Sequence, residues 1–499
     1  MSNVLSWLTA ILFGAVCGVG SAVQGAPESR PEAGGAEASA GIPDEPNAFL
    51  FGARIPRTMT LLATSNASRR NPVRILCYGQ SVVAQRYVSN ALDNELKQRY
   101  PFAEITVENR AIGGYMAPVL VRTAVNDLYP FYPDLVVFHV YGGYDTGELE
   151  RIVSNIRKYT TAEILMWTHH YSNFGEGGTG HLQTESDGSG FRRYLAQKYN
   201  CELVELREAW QRYLECHKLT YQDMLVDGIH LNKRGGALQA ALVLRHFRFN
   251  TLFPSEWMNT VRTYEARRPL EERNDEITFT GEPWRHSGAG VAGERPDSAL
   301  RLAFHGNRVD VIASRVGARR GTARVLIDGR PPSAFPQAYA VTRPNRNPLS
   351  GRPMINRIEV GDRPVDEEWT LRVRDITPDG RKFRFALTGS VTGPDGEGTH
   401  GEPFTSASGR LRFQPAEFTF AGAVSQCKKP FTNEVTVVFK TVLMGTDVYA
   451  PASNAVAGAI QATTLIQGLD NRPHVLELIP NGDGPVPVFE LVAHRPPLE

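Results

Sequence analysis

A serine, an aspartate and a histidine stand at three telling places in this chain. Ser81 closes the run Arg74-Ile-Leu-Cys-Tyr-Gly-Gln-Ser81, an apolar stretch that reads as a buried strand stopping at Gly79. The segment after it, 82–100, carries apolar side chains at Val83, Tyr87, Leu92 and Leu96, which is helical spacing. A serine between a strand and a helix N-terminus lies where backbone N–H groups point outward and negative charge is favoured. That suits an alkoxide nucleophile and an oxyanion. Far downstream, Asp227-Gly-Ile-His230 supplies a carboxylate and an imidazole three residues apart. A serine hydroxyl is a weak nucleophile until an imidazole takes its proton. The imidazole in turn needs a carboxylate on its other nitrogen to hold the productive tautomer. The chain order Ser, Asp, His therefore points to acyl transfer. Taken singly, Asp227 and His230 would equally suit a turn capping a helix that starts near Lys233.

The elements that must position these groups are legible. From 72 to about 249 strand-like and helix-like runs alternate. The strands are expected at 74–79, 104–109, 134–141, 162–168 and 201–206, and the helices at 82–100, 148–159, 190–199, 208–218 and 233–249. Runs such as Leu135-Val-Val-Phe-His-Val-Tyr141 are apolar on both faces, as in a parallel sheet covered by helices. The fold class is therefore α/β, a flavodoxin-like three-layer domain, whose sites lie at the carboxyl ends of the strands. Ser81, the Gly113-Gly114 turn, Tyr144 and the pair His169-His170 all fall just past strand ends.

Four blocks carry a resemblance: Gly-Gln-Ser81, Asn109-Arg-Ala-Ile-Gly-Gly114, Tyr141-Gly-Gly-Tyr-Asp145 and Asp227-Gly-Ile-His230. Over about 74–249 the chain resembles the SGNH (GDSL-type) hydrolase superfamily of esterases and lipases. The Gly-Gln-Ser form is similar to that of some carbohydrate acetyl esterases. The resemblance implies Ser81 as nucleophile, His230 as base, Asp227 as the group that orients it, and Gly114 with the Ser81 amide as oxyanion donors. The family's third donor is an Asn after strand three. Here Tyr144 stands in its place, preceded by Gly143, so either the Gly143 amide or the Tyr144 hydroxyl would have to substitute. Two adjacent histidines point to opposite sides of an extended chain, so joint metal ligation by His169 and His170 is not expected. One of them could contact substrate. His139 reads as a satisfied core residue, and the Gly-rich 173–190 stretch as a solvated loop or a lid.

After about residue 270 the helical pattern gives way to short alternating runs separated by Gly, Pro and Asp turns. This reads as a jelly-roll-like antiparallel β-sandwich over 270–499, with 340–365 and 388–410 as loops. Such a sandwich could bind carbohydrate. Trp284, Tyr339, Trp369 and Tyr449 could stack on sugars or simply fill its core.

The chain's 499 residues call for two or three domains. A net charge of +1 gives no electrostatic reason to expect nucleic acid or an anionic membrane. An uncharged apolar stretch, 4–23, with small residues at Gly20, Ala22, Gly25 and Ala26, reads as a signal peptide (1–26) followed by a disordered spacer (27–48). A single membrane anchor is the alternative. The hydrolase domain is expected at 49–260. Cys77, Cys201, Cys216 and Cys427 form no CxxC pair, and their spacing favours no disulfide. The expectation is a secreted or periplasmic serine esterase, free of metal and cofactor, that removes acyl groups, acetyl first, from carbohydrate. It would not stay inserted in a membrane after signal cleavage. The alternatives are a polysaccharide O-acyltransferase using the same triad and a non-catalytic secreted carbohydrate-binding protein on a decayed hydrolase fold.

Overall fold

The computed structural model describes residues 41–170, 188–250, 260–266, 276–281, 284–287, 290–313, 321–451 and 458–499. The expected signal peptide, most of the spacer and nearly all of the Gly-rich 173–190 stretch lie outside them.

Strand β1 (Pro72–Gly79) sits inside a parallel sheet with β2 (Glu104–Asn109), β3 (Leu135–His139), β4 (Glu163–Trp167) and β5 (Glu202–Val204). Their order is β2-β1-β3-β4-β5. Side chains alternate across β1 with the period of a strand. Ile75 and Cys77 enter one core; Leu76 and Tyr78 enter the other. The first core is covered by α1 (Pro56–Ala63), α2 (Ser81–Ala84), α3 (Tyr87–Arg99), α7 (Leu206–His217) and α8 (Lys233–Leu244). The second is covered by α4 (Ala117–Asp127), α5 (Glu148–Tyr159) and α6 (Ser189–Lys198). This is the three-layer α/β domain that the alternating pattern implied. The helix read over 82–100 is split, because Arg86 adopts a left-handed φ of 67° between α2 and α3. Helix α4 escaped the sequence reading. Its buried residues Leu120 and Ala124 are interleaved with the β-branched Val119, Val121 and Thr123, which blurs the period.

The rest of the chain is antiparallel, as expected, but it holds two cores rather than one sandwich core. In the first, the long strand β6 (Ala299–Ile312) pairs with both β11 (Ala462–Pro480) and β12 (Glu490–His494), and β7 (Ala323–Ile327) pairs with β11. In the second, β8 (Tyr339–Val341), β10 (Val435–Leu443) and β9 (Glu367–Arg374) lie side by side and continue into Arg384–Gly389 and Gly393–Thr399. This second module, 339–443, is an insertion with its own centre around Trp369, Phe385, Phe413, Phe420 and Phe439. The 388–410 stretch, read as loop, contains the strand Gly393–Thr399. Its glycines hid it. Gly398 is required there, because a Cβ on it would come 2.5 Å from the Phe385 ring. Trp284, Trp369 and Tyr449 are core residues, whereas Tyr339 is half-buried.

The inserted module docks on the α/β domain beside the loop that follows β2. Arg343 grips the buried Asp127 with two hydrogen bonds of 2.7 and 2.8 Å and also donates to the Arg110 carbonyl. Tyr115 donates to Asn356 Oδ1 at 2.7 Å. Arg122 pairs with Glu417 at 2.6 Å. Among the described residues no helix is long and apolar enough to cross a membrane.

Candidate active site

β1 stops at Gly79 because its backbone passes against β3. With φ at +155°, a Cβ there would fall 2.0 Å from the His139 carbonyl oxygen. The chain extends through Gln80 and turns at once into α2, whose first residue is Ser81. The Asp227–His230 turn arrives from the far end of the domain. It is self-closing, since Asp227 Oδ1 accepts from the amides of Ile229 and His230, both at 2.7 Å. That leaves Oδ2 for the His230 ring, 2.8 Å from Nδ1. His230 Nε2 then lies 2.9 Å from Ser81 Oγ. A carboxylate can only accept, so Nδ1 carries the proton and Nε2 is free to accept the serine hydroxyl's. Burial pushes the Asp227 carboxyl up, but the bonds from the His230 amide and ring outweigh it and hold the pKa below its ordinary 3.8. The site is open to water: the Asp227 side chain is 53% exposed and that of His230 35%.

Two side chains that the sequence reading gave no role, or a different one, hold this turn in place. Gln85, one helical turn past Ser81, receives the Leu231 amide at 3.1 Å and donates to the Leu231 carbonyl at 2.9 Å. His170 donates through Nε2 to the Ile229 carbonyl at 2.7 Å. Both sequence-predicted rim histidines are in fact buried. His169 Nδ1 lies 2.8 Å from His139 Nε2, and the His139 ring stacks on Trp167. The rings of His169 and His170 are taken up by packing and by bonds to His139 and the Ile229 carbonyl. The reason is that β4 runs apolar to its end and carries both rings inward under Tyr141 and Trp210.

Gln80 was missed as well, although it stands in the first motif. The residue is 4% exposed, and its Oε1 position lies 2.5 Å from Ser81 Oγ. Ser81 has one proton and gives it to His230. An oxygen facing Ser81 would therefore find no donor, and Nε2 would be buried with no acceptor. A half-turn of the amide brings Nε2 to the hydroxyl and resolves the first conflict.

The loop after β2 supplies the other donors. An ideal Cβ on Gly113 would sit 4.0 Å from Ser81 Cβ, and Gly114 turns with φ +75°. Neither the Ser81 nor the Gly114 amide donates to an acceptor among the described residues. The Gly143 carbonyl accepts from the Leu149 amide at 2.9 Å. A Cβ on Gly143 would meet Ala117 at 2.7 Å, and the Tyr144 ring lies 3.0 Å from the Cβ position of Gly188. Cys77 and Cys201 are buried, and burial raises their thiols to about 12 and about 11.

Strand order β2-β1-β3-β4-β5, a serine after β1, a glycine turn after β2 and Asp-x-x-His before the last helix make a three-layer parallel α/β domain followed by antiparallel β-sheets, the arrangement that the resemblance to SGNH (GDSL-type) hydrolases implies. No protein-family model and no curated protein matches the chain. Similar solved structures include a two-domain esterase (CEX) active on acetylated mannans, at 13% identity over 90% of this chain and 96% of that one, TM-score 0.34. The same esterase crystallised with mannopentaose gives 14% identity, 89% and 95% coverage and a TM-score of 0.33. An acetylxylan esterase from Geobacillus stearothermophilus is 18% identical over 38% of this chain and 98% of its own, TM-score 0.30.

Proposed function

We propose that this protein is a serine esterase that removes acyl groups, acetyl first, from carbohydrate. The observation that carries the reading is the continuous chain from Ser81 Oγ through the His230 ring to Asp227, with links of 2.9 and 2.8 Å. In this scheme Ser81 Oγ attacks the ester carbonyl carbon while His230 Nε2 takes its proton. The carbonyl π electrons move onto oxygen, where the Ser81 and Gly114 amides receive the charge and the Gln80 amide steadies Oγ. The C–O bond to the sugar then breaks, and the leaving oxygen takes the proton from His230. Water, deprotonated by the same imidazole, attacks the acyl carbon; the Oγ–C bond breaks, Oγ takes the proton back from His230, and the acid is freed. The exposed flank at Asp227 lets water in, which favours hydrolysis over transfer to a second sugar. The intact proton path supports an enzyme over a decayed binder.

Carbohydrate as the acyl carrier rests on the sequence resemblance, and the mannan and xylan esterases named above have substrates of that class. Export rests on the N-terminal apolar segment. The test is labelling with a fluorophosphonate, followed by turnover of short acyl esters and acetylated glycans. Ser81→Ala should take no label and show no hydrolysis while its thermal unfolding stays unchanged, since the hydroxyl is small and half-exposed. A folded Ser81→Ala protein with full turnover would refute the assignment.

A further inference from the structure

Arg352 belongs to the inserted β module, yet its guanidinium lies against the oxyanion loop of the α/β domain. Nε donates to the Gly113 carbonyl at 3.0 Å. An ideal Cβ on Gly114 would fall 1.8 Å from Arg352 Nη2, so the guanidinium occupies space that only a glycine leaves open. Its Cζ stands 5.3 Å from the centroid of the Tyr115 ring. The loop that presents Arg352 is tightly closed. The Gly351 amide donates to the Asn347 carbonyl and the Asn347 amide to the Arg352 carbonyl, at 2.8 and 2.7 Å. Asn347 itself is buried.

This cation has no carboxylate partner within ion-pair distance among the described residues, unlike its neighbour Arg343, which clasps Asp127. A half-buried guanidinium spent on one carbonyl calls for an explanation. The peptide it touches supplies one. The Gly113–Gly114 unit is planar and trans, so its C=O and N–H point in opposite directions. Holding the Gly113 oxygen toward Arg352 turns the Gly114 N–H to the other side. Glycine on both sides of a peptide makes its rotation cheap, because neither residue has a Cβ to restrict φ. This bond is therefore the part of the loop most easily turned over, and Arg352 grips it.

We propose that Arg352 is a positioning residue, contributed by the inserted module, that locks the Gly113–Gly114 peptide with its N–H available to the oxyanion formed at Ser81. The inference rests on the esterase reading above. It makes the inserted module part of the catalytic machinery rather than only an appendage for holding a glycan.

The test compares Arg352→Met with Arg352→Lys in the full chain. Methionine keeps length and packing over Gly114 and Tyr115 but cannot donate. Lysine keeps a donor within reach of the same carbonyl. Fluorophosphonate labelling rate, kcat and KM on p-nitrophenyl acetate and thermal unfolding are measured for each. Removing a direct oxyanion donor costs about a hundredfold to a thousandfold in kcat. Loosening one through its lock should cost Arg352→Met about tenfold or more in kcat and labelling rate, with KM within about twofold. Arg352→Lys should recover to within about threefold of the native rate. A wild-type chain that takes no label overturns the esterase reading and this inference with it. A labelled wild type with a Met variant of equal rate, a loss confined to KM, or Met and Lys variants equally impaired overturns the Arg352 inference alone.

Discussion

The side-chain amide of Gln80 lies 2.5 Å from the hydroxyl of Ser81, the next residue in the chain. Neighbours along an extended strand ordinarily point to opposite faces. They meet here because Gln80 is extended and Ser81 is already helical, so the chain bends between them. With the amide turned over, as the proton count at Ser81 requires, the contact would put a buried donor on the nucleophile's own oxygen.

Gln80→Leu should therefore lower kcat on short acyl esters by about a hundredfold with little change in KM, since the bond strengthens as charge develops on Oγ. Gln80→Glu should be worse, because a carboxylate there repels the forming alkoxide. Steady-state kinetics on the two variants would decide it, and native turnover in Gln80→Leu would reduce the amide to a packing group.

Asp227→Asn keeps the shape of the turn but can donate to His230 Nδ1, which favours the wrong tautomer. In a serine protease the equivalent change costs about four orders of magnitude in kcat. A comparable loss is expected here, in kcat rather than KM. An unchanged turnover number would leave Asp227 as a turn residue only.

His170 links the site to acid stability. Burial drives its pKa from 6.5 down to about 4, against the upward pull of the bond to the Ile229 carbonyl, and nearby Arg207 and His230 add to the lowering. Its Nδ1 is buried without a partner among the described residues, so the N–H that a second proton would create there finds no acceptor. The unfolded chain takes up that proton below about pH 6.5 and the folded chain does not until about pH 4. Stability from this group is thus complete above pH 6.5 and shrinks as pH falls toward 4, by at most about 3 kcal/mol. His139 and His169 are shifted in the same direction by burial. His170→Gln keeps a donor for Ile229 but does not titrate. Denaturant unfolding at about pH 7.5 and about pH 4.5 should show a smaller acid loss in this variant than in the native chain. Equal losses would disprove the assignment.

The α/β half could be read from the sequence because its strands are short, apolar and bounded by turn residues at the positions where the chemistry sits. Ser81, Asp227 and His230 were legible as types in an order. What brings them together was not. Gln85 and His170 hold the His230 turn through backbone atoms of Leu231 and Ile229, and contacts to backbone leave no trace in the partner's residue type. His169-His170 looked like a rim pair because position past a strand end says nothing about which way a ring turns. The antiparallel half was visible as a class but not as two cores. Its Phe-rich insertion begins at Tyr339, at the edge of the 340–365 stretch read as a loop, and ends in a run that alternates like any other strand, and Arg352 stood in that same loop stretch.

The chain enters and leaves that insertion through two strands lying side by side, with Tyr339 opposite Leu443. This has a bearing on how the protein reaches its fold. β7 precedes the insertion and its partner β11 follows it, so the first β core cannot close until the intervening hundred or so residues are gathered in. Left unfolded, a loop of that length opposes closure by about 4 kcal/mol of chain entropy. Once the insertion has collapsed around its own phenylalanines and zipped β8 to β10, its ends are a strand spacing apart, and most of that cost has already been met. The module should therefore fold ahead of the core that surrounds it. A substitution that slows its collapse would delay β7–β11 pairing, far from the altered residue.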